Sequence, residues 1–176
     1  MDASTLHLLA EDLAAYLSEA TPGDLGRPVA GTGGTLAELY LTAVDGVLEA
    51  VVGEEESTED ERARALRAAR GAPFASCAWL GLDGAYRDAV RRVVRIFDAA
   101  GPDAEARYER LLRDTVVHTW DVAHTLGFEY RPDRAVAERV LRGIVHDDDG
   151  SASGESLFQC VLVLSGRARS DRSPVA

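Results

Sequence analysis

Apolar residues recur along this chain at the three-and-four spacing of helices, and no stretch shows the alternation of a strand. Leu6, Leu9, Leu13, Ala14 and Leu17 form one stripe, with Glu11, Asp12 and Glu19 on other faces. This predicts an amphipathic helix over 4–20, capped by Asp2 or Ser4 and ended by Thr21-Pro22-Gly23. Residues 22–34 contain Pro22, Gly23, Gly26, Pro28, Gly31, Gly33 and Gly34 and read as a loop. The GTGG run within it is like a phosphate-binding turn, but it lacks the lysine and the preceding strand such a turn requires. Thr35 with Glu38 three residues later is a capping-box pattern. It opens a second helix that presents Leu36, Leu39, Val47 and Val51 to the core and stops at Gly53.

Residues 54–71 gather acids first and arginines later, which suits the helix dipole, and their apolar content is mostly alanine. This reads as a weakly packed, solvated helix. Residues 72–82 form an apolar connection in which Trp79, Leu80 and Leu82 would cover one end of a bundle, line a pocket or meet another chain. Asp83 is placed to cap a third long helix with Tyr86, Val90, Val93, Val94 and Phe97 inward. Pro102 suits the first turn of a fourth, which runs to Leu126 and ends at Gly127. A shorter amphipathic helix follows over 132–145, then an acidic loop at Asp147–Gly150 without the ligand alternation of a calcium loop. A strongly apolar last helix around SGESLFQCVLVLSG completes the core. The expected architecture is all-α: a four-helix bundle with additional short helices, one domain over 1–170, and a loose tail at 171–176.

Composition narrows the function classes. A chain of 176 residues with 46% hydrophobic and 28% charged residues can bury a real core. A net charge of −11 argues against nucleic acid and anionic membrane surfaces as partners. No apolar run is long enough to span a bilayer, and MDASTLHLLAEDLAAYL carries acids where a signal peptide needs a basic start, so a cytoplasmic location is expected. All 19 basic residues are arginine, which rules out Schiff-base chemistry on a lysine side chain. Cys77 and Cys160 lack metal-type spacing and sit in apolar surroundings, as core thiols do.

Candidate chemistry concentrates in DTVVHTWDVAHTLG at 114–127. At about 100° per residue, Asp114 and His118 lie about 40° apart on a helix, and Asp121 returns to the same side. Leu111, Val117 and Val122 flank this polar line. A carboxylate and an imidazole one turn apart can share a metal ion, act as an acid–base pair, or form a buried structural hydrogen bond. His124 falls three residues after Asp121, in reach of a hydrogen bond to it, and is expected to line a pocket or serve structure. Trp120 points away from the Asp114–His118 face and is expected in the core. Thr42 and Asp45 share a side of the second helix, and His7 lies beside the leucine stripe of the first.

Three segments together resemble the DinB-like metal-binding fold, in the branch around the N-terminal domain of mycothiol-dependent maleylpyruvate isomerase. DTVVHTWDVAHTLG is similar to that branch's D-x-x-x-H-T-W-D-x-A-x-x-x-G run. TLAELYLTAVDGVL from Thr35 resembles its W-T-V-x-D-L helix, which carries a histidine, and LVLSGR at 162–167 its late L-x-x-x-G-R. The resemblance implies a divalent metal, often zinc, held by one His of the second helix and a carboxylate and a His of the fourth. On this chain those are Asp114 and His118, with Thr42 where the first His belongs and Gly34 where the branch has Trp. A threonine hydroxyl is a poor zinc ligand, so a third ligand would have to come from Asp45, His7 or His124.

The implied function is a small-molecule isomerase or thiol-dependent transferase, with mycothiol as the implied cofactor. Two alternatives stand beside it. One is a metal-free biosynthetic isomerase or cyclase, with His118 as acid or base, Asp114 orienting it, and Thr42, Asp121 and His124 lining the pocket. The other is a non-catalytic binding or assembly protein, for which a homodimer is one form.

Overall fold

The structure is a computed structural model that describes residues 3–49, 81–84, 86–91, 93–94, 105–144 and 154–167. Outside these lie the charged stretch 54–71, most of the apolar connection with Cys77, Asp2, Pro102, His146, the acidic loop 147–150 and the C-terminal tail.

The described residues are mostly helical, with α1 at Ala3–Glu19 and α2 at Leu36–Glu49. Residues 81–84, 86–91 and 93–94 belong to α3. They are followed by α4 at Glu105–Leu126, α5 at Arg134–Ile144 and α6 at Gly154–Leu164. Among the described residues there is no strand, only an isolated antiparallel bridge between Pro28 and Thr35. The class is all-α, as the periodicity requires.

The longest helix among the described residues, α4, is the hub. α4 packs against α1, α2 and α5, and α5 packs against α6. Its inward face follows the helical period through Tyr108, Leu112, Thr115, Val116, Thr119, Val122 and Ala123, all buried. α1 brings Leu6, Leu9, Leu13 and Leu17 to the same core, α2 brings Leu36, Tyr40, Val44 and Val47, and α3 brings Tyr86, Val90 and Val93. Each fully buried large side chain contributes roughly 1.5–3 kcal/mol. That is why these stripes, rather than intrinsic propensity, hold the helices in place.

Helix ends are set locally. The Thr35 amide donates to Glu38 Oε2 at 2.8 Å and the Glu38 amide donates back to Thr35 Oγ1 at 3.4 Å, the reciprocal capping box expected at this position. Asp133 caps α5 by accepting from the Ala135 amide at 2.8 Å. α4 ends in a Schellman turn: the Phe128 amide bonds the Ala123 carbonyl at 2.8 Å, with Gly127 at φ 86°. α6 ends in the same way, the Arg167 amide reaching the Leu162 carbonyl at 2.7 Å past Gly166 at φ 75°. The two turns aim Phe128 and Arg167 out of their helices, and both residues shape the functional region.

Two expectations change. Cys160 is exposed, not a core thiol, because α6 turns Phe158, Val161 and Leu162 inward and leaves Cys160 on the opposite face. Asp83 does not precede α3 as a cap. It lies within the helix and pairs with Arg87, which also binds Glu11 of α1 at 2.7 Å.

Candidate functional site

The polar face of α4 begins on a stretch whose residue types favour strands. Thr115-Val116-Val117 is β-branched throughout, yet it stays helical because all three side chains are buried. The threonine hydroxyls are also satisfied within the helix, Thr115 donating to the Leu111 carbonyl at 2.8 Å and Thr119 to the Thr115 carbonyl at 2.7 Å.

Asp114 and His118 share this face but are not hydrogen-bonded to each other among the described residues. The Asp114 side chain is 39% exposed and accepts from Nε of the neighbouring Arg113 at 3.1 Å. His118 is half-buried, and its imidazole is pushed down to a pKa of about 4. Burial is the main cause; the Asp114 carboxylate pulls the value up and the Arg167 cation pushes it further down. At neutral pH His118 is an uncharged imidazole beside a guanidinium.

Asp121, one further turn along, is in a different environment. Its side chain is fully buried and is gripped by Arg167 from beyond the end of α6. Arg167 Nε lies 3.2 Å from each carboxylate oxygen and Nη2 lies 3.0 Å from Oδ2, while Nη1 donates to the Ser165 carbonyl at 2.8 Å. Burial raises the Asp121 pKa and the Arg167 contacts work against that rise. The pair joins two segments that the sequence singled out separately, DTVVHTWDVAHTLG and LVLSGR. The expected Asp121–His124 hydrogen bond is not formed. His124 is exposed and its ring stacks on Trp120 at 4.8 Å between centroids with 7° between planes. Trp120 itself sits at the edge of the core with one face toward solvent-side groups, rather than wholly inside it.

The remaining candidate ligands are spread over other elements. Thr42 is exposed on α2 and its hydroxyl donates to the Glu38 carbonyl at 3.0 Å. Asp45 is half-buried one turn later, and His7 is exposed on α1. Among the described residues, no group of three His, Cys, Asp or Glu side chains comes together in a way that could hold a metal ion. The donor chemistry agrees: Thr42 is neutral and committed to its own helix, and Asp114 is engaged by Arg113. These residues do not make the three-ligand zinc site that the resemblance implies.

At the far end of α4 the surface opens into a groove of about 610 Å³. Its walls come from the Trp120–His124 stack, the α4–α5 connection from Gly127 to Arg134, and Phe158 and Leu162 of α6. The rim is tied down from α1, where the Tyr16 hydroxyl donates to the Glu129 carbonyl at 2.8 Å and its ring packs on Phe128 and Tyr130 at 5.9 Å each. Tyr130 in turn meets Phe158 edge-on at 6.1 Å. Sequence reading placed His124 at a pocket but missed the groove. The available signal was the i, i+4 spacing of Trp120 and His124 next to a short run with two aromatics, Phe128 and Tyr130, followed by Arg131 and Arg134.

No family model, curated protein or solved structure matches the chain. Among the described residues no helix is long and apolar enough to cross a membrane.

Proposed function

We propose that the protein is a DinB-like helical bundle that acts on a small organic molecule without a resident metal ion, with His118 as the group that handles the proton. The state of that imidazole carries the reading: it is partly desolvated, uncharged at neutral pH and under the opposed electrostatic influence of the Asp114 carboxylate and the Arg167 guanidinium. An imidazole with a pKa near 4 is a weak base in the free protein. An anionic substrate beside it would offset the Arg167 charge and raise its proton affinity toward the working pH, so the substrate itself would activate the base. Isomerisation suits such a group, because the proton taken in the first half of the reaction is returned in the second. Asp114 supports the imidazolium electrostatically in between. Thiol-dependent transfer with mycothiol, the other activity that the resemblance implies, draws on the same imidazole.

A specific observation favours one further reading. Asp114 is bound to Arg113 and no Asp–His dyad is assembled, as in a bundle whose polar face has lost its chemistry and serves binding or assembly.

Titration of His118 by the NMR shift of its ring proton separates these. The expected midpoint is near 4 in the free protein, moving up by at least one unit when a small carboxylate occupies the site. A free-protein midpoint of 6 or above, or no response to any carboxylate, removes the catalytic reading. Zinc analysis of untagged protein after zinc supply is expected to give less than about a tenth of an equivalent. Once a substrate is in hand, His118→Ala should abolish its turnover while leaving the fold intact.

A further inference from the structure

A groove at the far end of the helix that carries His118 is lined by other residues. The groove at the end of α4 combines three properties that ordinary surface lacks. Its walls are aromatic: the Trp120–His124 stack lines one side, the Tyr130–Phe158 pair the other, and Phe128 at the rim is 45% exposed, one of only two large hydrophobic side chains so exposed among the described residues. It is held in shape before any ligand arrives, because the Schellman turn fixes Phe128 and Tyr16 of α1 clamps the Glu129 backbone. Its charge also runs against that of the chain. Arg131 and Arg134 line it against the single carboxylate of Glu129, in a protein of net charge −11.

We propose that this groove is a binding site for a flat aromatic carboxylate. The ring would lie against the Trp120–His124 wall under Phe128, burying apolar surface that is now wet. The carboxylate would face Arg131 and Arg134. Both guanidiniums are already paired, Arg131 with Glu129 at 2.7 Å and Arg134 with Glu138 at 2.8 Å, but these pairs are at the surface. Surface pairs are worth about 1 kcal/mol or less, so a ligand carboxylate that accepts two N–H bonds can take over a guanidinium at little cost. A volume of about 610 Å³ accepts a molecule of one or two rings and is too small for a macromolecular segment of any length.

The test uses 4-nitrobenzoate and its neutral counterpart 4-nitrobenzamide as probes on the full chain. The chain has two tryptophans, so the indole N–H region of an ¹⁵N spectrum holds two peaks, and Trp120→Phe identifies the one that reports on the groove. The Trp120 peak is expected to move saturably with 4-nitrobenzoate, at least three times more tightly than with 4-nitrobenzamide. Arg131→Gln with Arg134→Gln should abolish that preference, and Phe128→Ala should weaken both probes. All three side chains are exposed, so the variants are expected to fold, and circular dichroism checks that they do. No saturable shift with either probe overturns the site. Equal affinity for the two probes overturns the carboxylate preference. A Trp120 peak that shifts with protein concentration alone, with a matching change in sedimentation, overturns the small-molecule reading in favour of a second copy of the chain. The midpoint of His118 in the free protein, and its response to a carboxylate in the Arg131→Gln, Arg134→Gln variant, test the His118 reading separately from the groove.

Discussion

Asp114 and Asp121 are the same residue type, seven positions apart on one face of one helix, and they have little else in common. Asp114 stays in contact with water and pairs with the residue next to it in sequence. Asp121 has no exposed side-chain surface and is held by a guanidinium 46 residues away. The helix places the two carboxylates alike; what arrives from elsewhere in the chain separates them. α6 brings Arg167 to Asp121, and the described residues bring no distant cation to Asp114. His118 lies between them and feels both, pulled up by Asp114 and pushed down by Arg167 and by burial. A helical pattern therefore states which side a polar residue is on, but not whether that side is structural or chemical.

The comparison breaks most sharply at Asp121. Asp121→Ala is expected to cost about 3–5 kcal/mol, because it leaves a partly buried guanidinium without its counter-charge. Asp114→Ala should cost less than about 1 kcal/mol, since it loses only an exposed pair. Urea denaturation of the two variants measures the difference directly. Arg167→Ala should resemble Asp121→Ala, and the double variant should cost clearly less than the sum.

The next effect is pH dependence. The folded-state pKa of His118 is about 4 against an ordinary value of 6.5, so the unfolded chain takes up a proton first on acidification. The contribution of His118 is intact above pH 6.5 and is lost as pH falls toward 4, by about 2–3 kcal/mol after allowing for the solvent contact the imidazole retains. Asp121 acts in the opposite sense. Its pKa is raised, so its contribution is present at low pH and is lost as pH rises through that value. His118→Gln should flatten the fall in stability between pH 6.5 and 4 and leave the Asp121 behaviour in place, as followed by thermal melts across that range.

Gly31→Ala is a smaller perturbation of the same clamp. Gly31 is at φ 77°, and an added Cβ would meet the Gly166 carbonyl oxygen at 3.0 Å. Strain and contact together should cost about 1–2 kcal/mol. Gly33→Ala, at φ 72° with nothing within 4 Å, should cost about 1 kcal/mol from conformation alone. Smallest of all, Phe128→Ala should change stability by no more than about 0.5 kcal/mol, because the ring is at the surface. A larger loss would mean that Phe128 serves packing rather than a ligand.

What could be read in advance was what is decided locally. The leucine stripe of α1, the Thr35–Glu38 box and the Gly127 stop each depend on residues within a few positions of one another, and each is found where the pattern put it. The start of α5 shifted by two residues, from Pro132 to Arg134, because Asp133 rather than the proline sets the cap. The face shared by Asp114, His118 and Asp121 was legible for the same reason. The partner of Asp121 was not, because Arg167 reaches it only through tertiary packing from 46 residues away. Trp120 was read from its angle on an isolated helix, which says nothing about whether the next element covers it. Here the 127–134 connection leaves one side open, and His124 stacks there. Cys160 was read from apolar neighbours, but those neighbours alternate around the helix, and the thiol drew the outer face.

The Arg167 clamp also imposes an order of events on the nascent chain. Asp121 leaves the ribosome 46 residues before the side chain that neutralises it. Through that interval α1, α2 and α4 have all been synthesised and can begin to close around a carboxylate without its counter-ion. Such an assembly must keep the acid hydrated, or protonated, until the turn after α6 emerges, so the central helix can dock early but becomes dry only at the end. The turn that follows α6 is therefore the step that commits the core around Asp121.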